Sequence, residues 1–350
     1  MSDASGEHPD VASPGPGAAY APRPVSGMAS DPFPDAPTRD AFRQDAPTPG
    51  PRDPGPDEPG LREPDAWQAD AGLVAPGRGG GLGDVLQRRY LLRLVVRREL
   101  RARYQSSLLG FGWSYVRPAA HFAVFYFVAG KFLGMSHRVD HFPIFMFSAL
   151  VLVSFFNETL INATHAVLGN AALVRKVYLP RELFPVASLL VSLVHLLPGL
   201  GIVVAVAAAW GWTPSPAALG SALLGFLIVA TLGLGLGLAC AALHVFYRDT
   251  DKVVDIATLV VTWSVPMIYP WHVVEDTAPH WASELYLANP LAEAVLLFQR
   301  AFWWPTTDGT FLFPPHLTRD AVAALAGSVL VLVVGQYVFA RLQRRFAEEL

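Results

Sequence analysis

Long apolar runs beyond residue 115 are the feature that most limits how this chain can fold. They lie at approximately 115–135, 142–165, 183–210, 217–246, 253–270 and 320–341. A helix needs roughly 20 such residues to cross the hydrocarbon core of a bilayer. Within lipid, a single segment satisfies its backbone N–H and C=O groups only as a helix. The sequence therefore predicts an all-α, polytopic membrane protein with six transmembrane helices per chain.

The first 83 residues have a different composition. They contain 16 of the 30 prolines and 13 of the 29 acidic residues, but only 6 of the 26 basic residues. A segment with so few large apolar side chains cannot offset the entropy lost on ordering. We therefore expect a disordered, acidic, Pro-rich tail at 1–83, an amphipathic interface helix region at 84–114, a transmembrane domain at 115–341 and a short C-terminus at 342–350.

Basic residues predict the orientation of the spans. Sixteen Lys and Arg residues fall in segments that share one side with the two termini, and four fall on the other side. Loops rich in Lys and Arg remain in the cytoplasm. Both termini are therefore expected in the cytoplasm, and segment 271–319 is expected outside the cell membrane.

The segment before the first span has the pattern of an amphipathic helix. Its apolar face consists of Leu91, Leu92, Val95, Val96 and Ala102, and its basic face of Arg89, Arg93, Arg97 and Arg101. Such a helix is expected in the plane of the membrane surface, with its arginines toward lipid phosphates or a soluble partner. The alternative is a simple positive-inside anchor.

Sequence motifs for catalysis are missing. None of the three lysines (Lys131, Lys176 and Lys252) stands in Gly-Lys-Ser/Thr, so there is no phosphate-binding P-loop. The single cysteine, Cys240, excludes a disulfide framework or a Cys-rich metal site. The net charge of −3 argues against a basic nucleic-acid binder. The chain is predicted to be no enzyme, with no catalytic residue, metal or cofactor of its own.

Polar residues and glycines inside the spans suggest two kinds of contact. Glu158 lies in the second span, and Asn162 lies one turn further on the same face. An ionisable residue at this depth indicates either a functional site or an interhelical hydrogen bond. Gly233, Gly235 and Gly237 alternate with leucines in the fourth span, which favours close helix packing.

Aromatic residues are dense in the spans. Phe122, Phe125 and Tyr126 follow helical spacing in the first span, and Phe155 and Phe156 are adjacent in the second. Such rings pack against lipid or core, or form a wall on which the apolar face of a sugar stacks. Tyr269 in the fifth span is a further aromatic candidate.

Five segments follow one another in an order that is typical of one family. They are Val96 to Tyr104 (VRRELRARY), Leu173 to Pro185 (LVRKVYLPRELFP), Val245 to Asp249 (VFYRD), Asn289 to Leu291 (NPL) and Arg345 to Leu350 (RFAEEL). From about residue 84 onward, the chain resembles the membrane subunit of type-2 ABC exporters that move O-antigen, teichoic acid, galactan and other lipid-linked polysaccharides. The N-terminal tail is not part of this resemblance.

The resemblance implies a half-transporter. Two copies of the chain would form the path, and a separate ABC ATPase that binds ATP and Mg²⁺ would dock beneath them. The residues predicted to line a channel between the two copies are Phe122, Phe125, Tyr126, Phe155, Phe156, Glu158 and Tyr269. The implied ATPase-coupling residues are Asn170, Lys176, Tyr178, Pro180, Arg181, Glu182, Tyr247, Arg248 and Asp249. The implied interface-helix residues are Arg97, Arg98, Arg101, Arg103 and Tyr104. Segment 277–305 would form short re-entrant helices that gate the exit.

The function implied is ATP-driven export of a lipid-linked polysaccharide or teichoic-acid-type polymer to the outer side of the cell membrane. The partners would be the ATPase, a second copy of the chain, the polymer and membrane lipids, with no nucleic acid. One alternative is a permease of the same type for a drug or a lipid. Another is a membrane-embedded glycosyl- or acyltransferase, which would need an interfacial acidic or histidine cluster that the sequence does not offer.

The predicted orientation is tested by reporter fusions. A reporter after Leu350 should be cytoplasmic, and one inserted at 306–308 should be external, because basic residues concentrate on the side of the termini. Alkaline phosphatase and green fluorescent protein report the two sides in opposite ways. The reverse pattern at either site would contradict the six-span topology.

Overall fold

The computed structural model describes residues 81–105, 110–176, 179–309 and 311–350. All regular elements in these ranges are helical, which agrees with the all-α prediction. The α-helices are α1 (Gly81–Gln87), α2 (Arg89–Tyr104), α3 (Trp113–Phe125), α4 (Phe142–Gly169), α5 (Ala171–Lys176), α6 (Leu183–Ala209), α7 (Pro216–Phe246), α8 (Thr250–Trp263), α9 (Trp271–Thr277), α10 (His280–Leu287), α11 (Pro290–Phe298), α12 (Leu317–Leu342) and α13 (Phe346–Glu349).

Four helices in the described ranges are long and apolar enough to cross a membrane. They are α4 with 28 residues, α6 with 27, α7 with 31 and α12, which continues to Arg345 over 29 residues. At about 1.5 Å per residue, each is longer than the roughly 30 Å hydrocarbon core. They correspond to the predicted second, third, fourth and sixth spans.

The first and fifth predicted spans differ from these four. α3 continues directly into a π-helical segment, Tyr126–Phe132. In the fifth, the helix α8 has only 14 residues and ends at Trp263. Pro266 follows, and the residue before a proline is disfavoured in the helical conformation. Since 14 residues rise only about 21 Å, the six-span count remains a prediction.

Helix α4 is the central helix of the bundle. It packs against α6, α7, α8 and α11. Large apolar side chains such as Phe145, Met146 and Leu152 are fully buried on it. A helix that is apolar on all sides is expected in such an interior position. In contrast, most of the apolar surface of α12 is exposed, as expected of a helix at the edge of a membrane protein.

Glycines allow α7 and α12 to cross at very short range. A Cβ atom added to Gly335 would lie 2.0 Å from the Gly235 carbonyl oxygen, and one added to Gly235 would lie 2.6 Å from the Leu332 nitrogen. Gly237 makes a similar approach, since its added Cβ would lie 2.6 Å from the Ala163 Cβ. The expectation that these span glycines serve close packing is confirmed.

The segments that were predicted to share the cytoplasmic side lie at one end of the bundle, which we call the basic end. There the buried Leu92 and Val95 of α2 pack with Ala166, Leu183 and Phe184 of α4 and α6. Phe339 and Phe346 also pack there with Val245 of α7. The apolar face of α2 thus rests on protein. Ala102, which was expected on that face, is exposed.

Tryptophan side chains hold the opposite end together, which we call the tryptophan end. Trp212 donates from Nε1 to the Ala301 carbonyl at 2.8 Å, and Trp303 donates to the Asp140 carbonyl at 2.6 Å. The short helices α9, α10 and α11 and the π-helical Gln299–Trp303 lie between residues 271 and 303. The resemblance implied short helices at 277–305, and the helices in this region are short.

Replacement of Gly335 with Ala should destabilise the protein. The new Cβ has no room beside the Gly235 carbonyl, so α7 and α12 must separate. Overpacking of this kind costs about 1–3 kcal/mol. The thermal unfolding midpoint in detergent should fall. Gly327→Ala is the matched control on the same helix, because an added Cβ there meets nothing within 4 Å. Equal midpoints for the two variants would contradict the close crossing.

Candidate functional site

A polar network inside the bundle connects the C-terminal part of α2 to α3, α4 and α6. We call it the interface network; its members are Arg103, Tyr104, Tyr115, Glu158, Asn162 and His195. At its centre, the Glu158 Oε1 and His195 Nδ1 atoms are 2.5 Å apart. The other ring nitrogen of His195, Nε2, is 2.5 Å from the Tyr104 hydroxyl. One histidine therefore joins the interface helix to the carboxylate of α4.

Three further contacts complete the interface network. Arg103 Nη1 and Asn162 Nδ2 each lie 3.3 Å from the same Glu158 oxygen. The Tyr115 hydroxyl donates to the His195 carbonyl at 2.6 Å. Glu158 and Asn162 share a face of α4 because they are one turn apart, as the sequence predicted. Two basic side chains and an amide thus surround one carboxylate.

Burial of the interface network explains why these partners are needed. The side chain of His195 is 6% exposed, and that of Glu158 is 30% exposed. An ionisable group at membrane depth is costly unless it faces protein or water and has a partner. Of the two roles predicted for Glu158, the geometry favours hydrogen bonding between helices. A bond that involves an ionised group is stronger than a neutral one, so the network ties α2 firmly to the spans.

A second contact ties α2 to the end of α4. The Arg98 guanidinium donates to the Asn170 Oδ1 atom. Asn170 is the C-cap residue of α4, and its Nδ2 atom donates to the Ala166 carbonyl at 2.9 Å. Asn170 is buried beneath the interface helix. The structure thus brings together two residues that were predicted separately, one as an interface-helix residue and one as an ATPase contact.

The C-terminal segment contacts the start of α6 through Arg181 and Glu182. Glu182 is fully buried, and its Oε1 atom accepts from Gln343 Nε2 at 2.9 Å and from Gln336 Nε2 at 3.4 Å. Arg181 donates to the Gln343 carbonyl, and its guanidinium carbon lies 5.5 Å from the centre of the Phe346 ring. Glu182 was predicted to contact an ATPase. It contacts its own chain instead, because α12 ends beside it.

The other predicted coupling residues differ in how exposed their side chains are. Lys176, Tyr247, Arg248 and Asp249 are exposed at the basic end, where α5 ends and where α7 turns into α8. Pro180 is buried. Tyr178 and residues 1–80 lie outside the described residues. Of the interface helix, Arg97 and Arg101 are exposed on the face opposite its buried residues. We call these exposed residues together the basic-end surface.

The two rings of α4 that were predicted to line a channel do not do so. Phe155 and Phe156 are each 2% exposed. Phe155 stacks on Phe226 of α7 at a centroid distance of 5.6 Å. The prediction for these two residues is wrong because α4 is the central helix of a single chain. Their side chains fill the core of that chain.

The rings of the first predicted span have a different environment. Phe122, Phe125 and Tyr126 are only half-buried. Phe122 contacts Phe147 of α4 at 5.2 Å, and Phe125 contacts Trp263 of α8 at 5.9 Å between ring centroids. Tyr269 is also half-buried and donates to the Trp263 carbonyl at 3.2 Å. For these four residues, a place on the transport path remains a prediction.

His195 is the main residue of the interface network that sequence reasoning missed. Its signal was a lone histidine within an apolar run of α6, which by itself is also compatible with core packing. In the described residues, no group of three or more His, Cys, Asp or Glu side chains is placed to hold a metal ion. The geometry is that of a mechanical connection between helices.

Comparison with known families identifies the class of protein. The family model described as "ABC-2 type transporter" matches residues 90–303, from the interface helix to the π-helical segment after α11. The chain therefore belongs to the ABC-2 type transporter family. Permeases of this family are transport subunits and are not themselves catalytic. The long apolar helices agree with a membrane permease.

The chain is similar to O-antigen export system permease proteins. It is 24% identical over 258 residues to the protein RfbA of Klebsiella pneumoniae. This alignment covers 74% of this chain and 94% of the relative. It is also 27% identical over 272 residues to RfbA of Myxococcus xanthus. That alignment covers 76% of this chain and 98% of the relative. The relatives are thus matched over nearly their full length.

Replacement of His195 with Leu should release the interface helix. The variant loses the contacts of the ring with Tyr104 and Glu158, and each 1.4 kcal/mol lost raises the released fraction about tenfold. Trypsin should then cleave faster within residues 97–103. His280→Leu is the control, because that side chain is 88% exposed in α10. Unchanged cleavage in the His195 variant would show that the network does not hold α2.

Proposed function

We propose that this chain is the transmembrane subunit of an ATP-driven exporter. It moves a lipid-linked polysaccharide or teichoic-acid-type polymer from the cytoplasmic to the outer side of the cell membrane. The observation that carries this proposal is the match, over 94% to 98% of their length, to permeases named for O-antigen export. Because the sequence has no P-loop, ATP and Mg²⁺ are assigned to a separate ABC ATPase subunit.

The basic-end surface is proposed as the docking site for that ATPase. Lys176, Arg248 and Asp249 supply charges there, and the exposed Tyr247 supplies a ring of the kind that anchors interfaces. Directly beneath are the ties of α2 to α4 and of α6 to the C-terminal segment. Movement of the ATPase would therefore reach the spans through buried contacts. In this arrangement, both termini lie in the cytoplasm.

The transport path is proposed to lie between two copies of the chain. A polar polymer cannot cross lipid without a protein-lined path. A single chain leaves apolar side chains exposed on α8 and on α3 with its π-helical continuation, including Val124, Phe127, Ile256 and Val260. The half-buried Phe122, Phe125 and Tyr126 lie on this same continuous helix and would offer rings to successive sugars. Remaining apolar surface would contact membrane lipids.

Deletion of the gene tests the function. The proposal expects loss of a surface polysaccharide or teichoic-acid-type polymer and accumulation of its lipid-linked form inside the cell. Surface labelling and extraction of lipid-linked glycans measure the two pools. Full-length protein should restore export. An unchanged surface polymer, together with altered efflux of a drug or lipid, would instead support the alternative permease class.

Replacement of Arg248 with Glu should weaken ATPase binding. The change reverses the charge of an exposed residue on the basic-end surface without touching the buried ties. Loss of a charged interface contact reduces affinity about tenfold or more. Co-purification with the cognate ATPase and ATP-dependent export should both fall. Arg138→Glu, an exposed residue at the tryptophan end, is the control. Normal co-purification of the Arg248 variant would refute this docking site.

A further inference from the structure

A cleft at the tryptophan end has no role in the function described so far. Its volume is about 570 Å³, and it lies between the π-helical segment after α11 and the start of α12. Three basic side chains line it, namely Arg300, His316 and Arg319. None of the described residues that line it is acidic. We call it the basic cleft.

Aromatic rings form the apolar wall of the basic cleft. They are Trp304, Phe311 and Phe313. Phe313 makes edge contacts with Phe311 at 5.1 Å and with Trp304 at 6.4 Å between ring centroids. Trp304 nevertheless remains 39% exposed. The apolar face of a sugar ring packs on such an exposed flat ring, while arginines bind carboxylate or phosphate groups.

Three contacts hold this wall and its arginine in position. Trp303 is buried, donates to the Asp140 carbonyl at 2.6 Å and contacts Phe311 at 4.9 Å between ring centroids. Arg300 Nη1 is 3.4 Å from the Thr318 hydroxyl, which directs the guanidinium toward the start of α12. A binding site on such fixed supports loses little entropy when a ligand binds.

A neighbouring cleft differs from the basic cleft in the charge of its lining. It has a volume of about 410 Å³ and shares Phe311 and Leu312 with the basic cleft. Its ionisable residues are Arg138, Asp140, His272, Glu275 and Asp276, so three carboxylates line it. An anion is repelled by these carboxylates and attracted by the basic cleft. The sign of charge therefore changes across the Phe311–Leu312 pair.

We propose that the basic cleft binds sugar units that carry a carboxylate or a phosphate group. Trp304 stacks on the sugar ring, and Arg300 and Arg319 bind the anionic group, with His316 at the rim. This inference rests on the proposed function, because it makes the exported polymer an anionic glycan that contacts the cleft as it leaves the protein. The neighbouring carboxylates would keep the emerging chain on the basic side.

Binding of labelled oligosaccharides to the full-length chain tests the proposal. The protein is placed in nanodiscs of zwitterionic lipid, so that anionic headgroups do not compete. The probes are a short oligogalacturonate, a phosphorylated maltooligosaccharide and the unmodified maltooligosaccharide, measured by fluorescence anisotropy. At least one anionic probe should bind about tenfold or more tightly than the neutral one. The anionic probe that binds more tightly shows whether the cleft prefers a carboxylate or a phosphate group.

Variants connect this preference to the basic cleft. Arg300→Gln with Arg319→Gln should remove the preference for the anionic probe, and the Lys double variant should keep part of it. Trp304→Ala should weaken all probes alike. Arg138→Gln, in the neighbouring cleft, is the matched control and should leave binding unchanged. If the Gln double variant does not fold, Arg319→Gln with His316→Gln is used, because both side chains are exposed.

Two results would overturn the proposal. One is equal binding of the charged and neutral probes, and the other is an unchanged preference in the folded Gln variant. The assay needs neither the ATPase nor export, so it is independent of the gene-deletion test. If cells with the Gln double variant export as much polymer as cells with the wild-type protein, the result contradicts the cleft proposal but not the proposed function. A surface polymer that survives gene deletion contradicts the proposed function.

Discussion

A polar group in the lipid core has no water with which to form a hydrogen bond, and the protein must therefore provide every partner. Glu158 shows how this constraint organises the fold. Its carboxylate receives contacts from Arg103, Asn162 and His195. Because these partners come from α2, α4 and α6, satisfying one charge fixes the position of the interface helix relative to two spans.

The basic end contains two ties of related design. Arg98 contacts Asn170 at the end of α4, and Arg181 contacts the C-terminal segment. In both pairs, an arginine donates to an uncharged oxygen of the same chain, namely the side-chain amide of Asn170 or the backbone carbonyl of Gln343. Other charged side chains at this end, such as Lys176 and Arg248, are exposed. Several residues that resemble family coupling positions thus act within the chain. If the proposed ATPase docks at this end, these contacts would transmit its movement to the spans.

The two ends of the bundle are held together by different kinds of contact. At the basic end, charges and hydrogen bonds connect the helices. At the tryptophan end, Trp212 and Trp303 fix short helices by bonds to backbone carbonyls. Trp304, Arg300 and Arg319 then remain around an open cleft. If the proposed function is correct, this division would place mechanical coupling at the basic end and contact with an emerging polymer at the tryptophan end.

The sequence by itself determined the helical class, four long spans and the amphipathic α2, because periodicity and length report directly on burial and membrane thickness. It also indicated the tight packing at Gly235 and the shared face of Glu158 and Asn162. Only the tertiary structure decided which residues meet across the chain. His195 joined Glu158, Glu182 joined Gln343, and Phe155 entered the core instead of a channel. Such contacts depend on how helices are arranged around α4, and local sequence patterns do not encode the partner of a side chain on another helix.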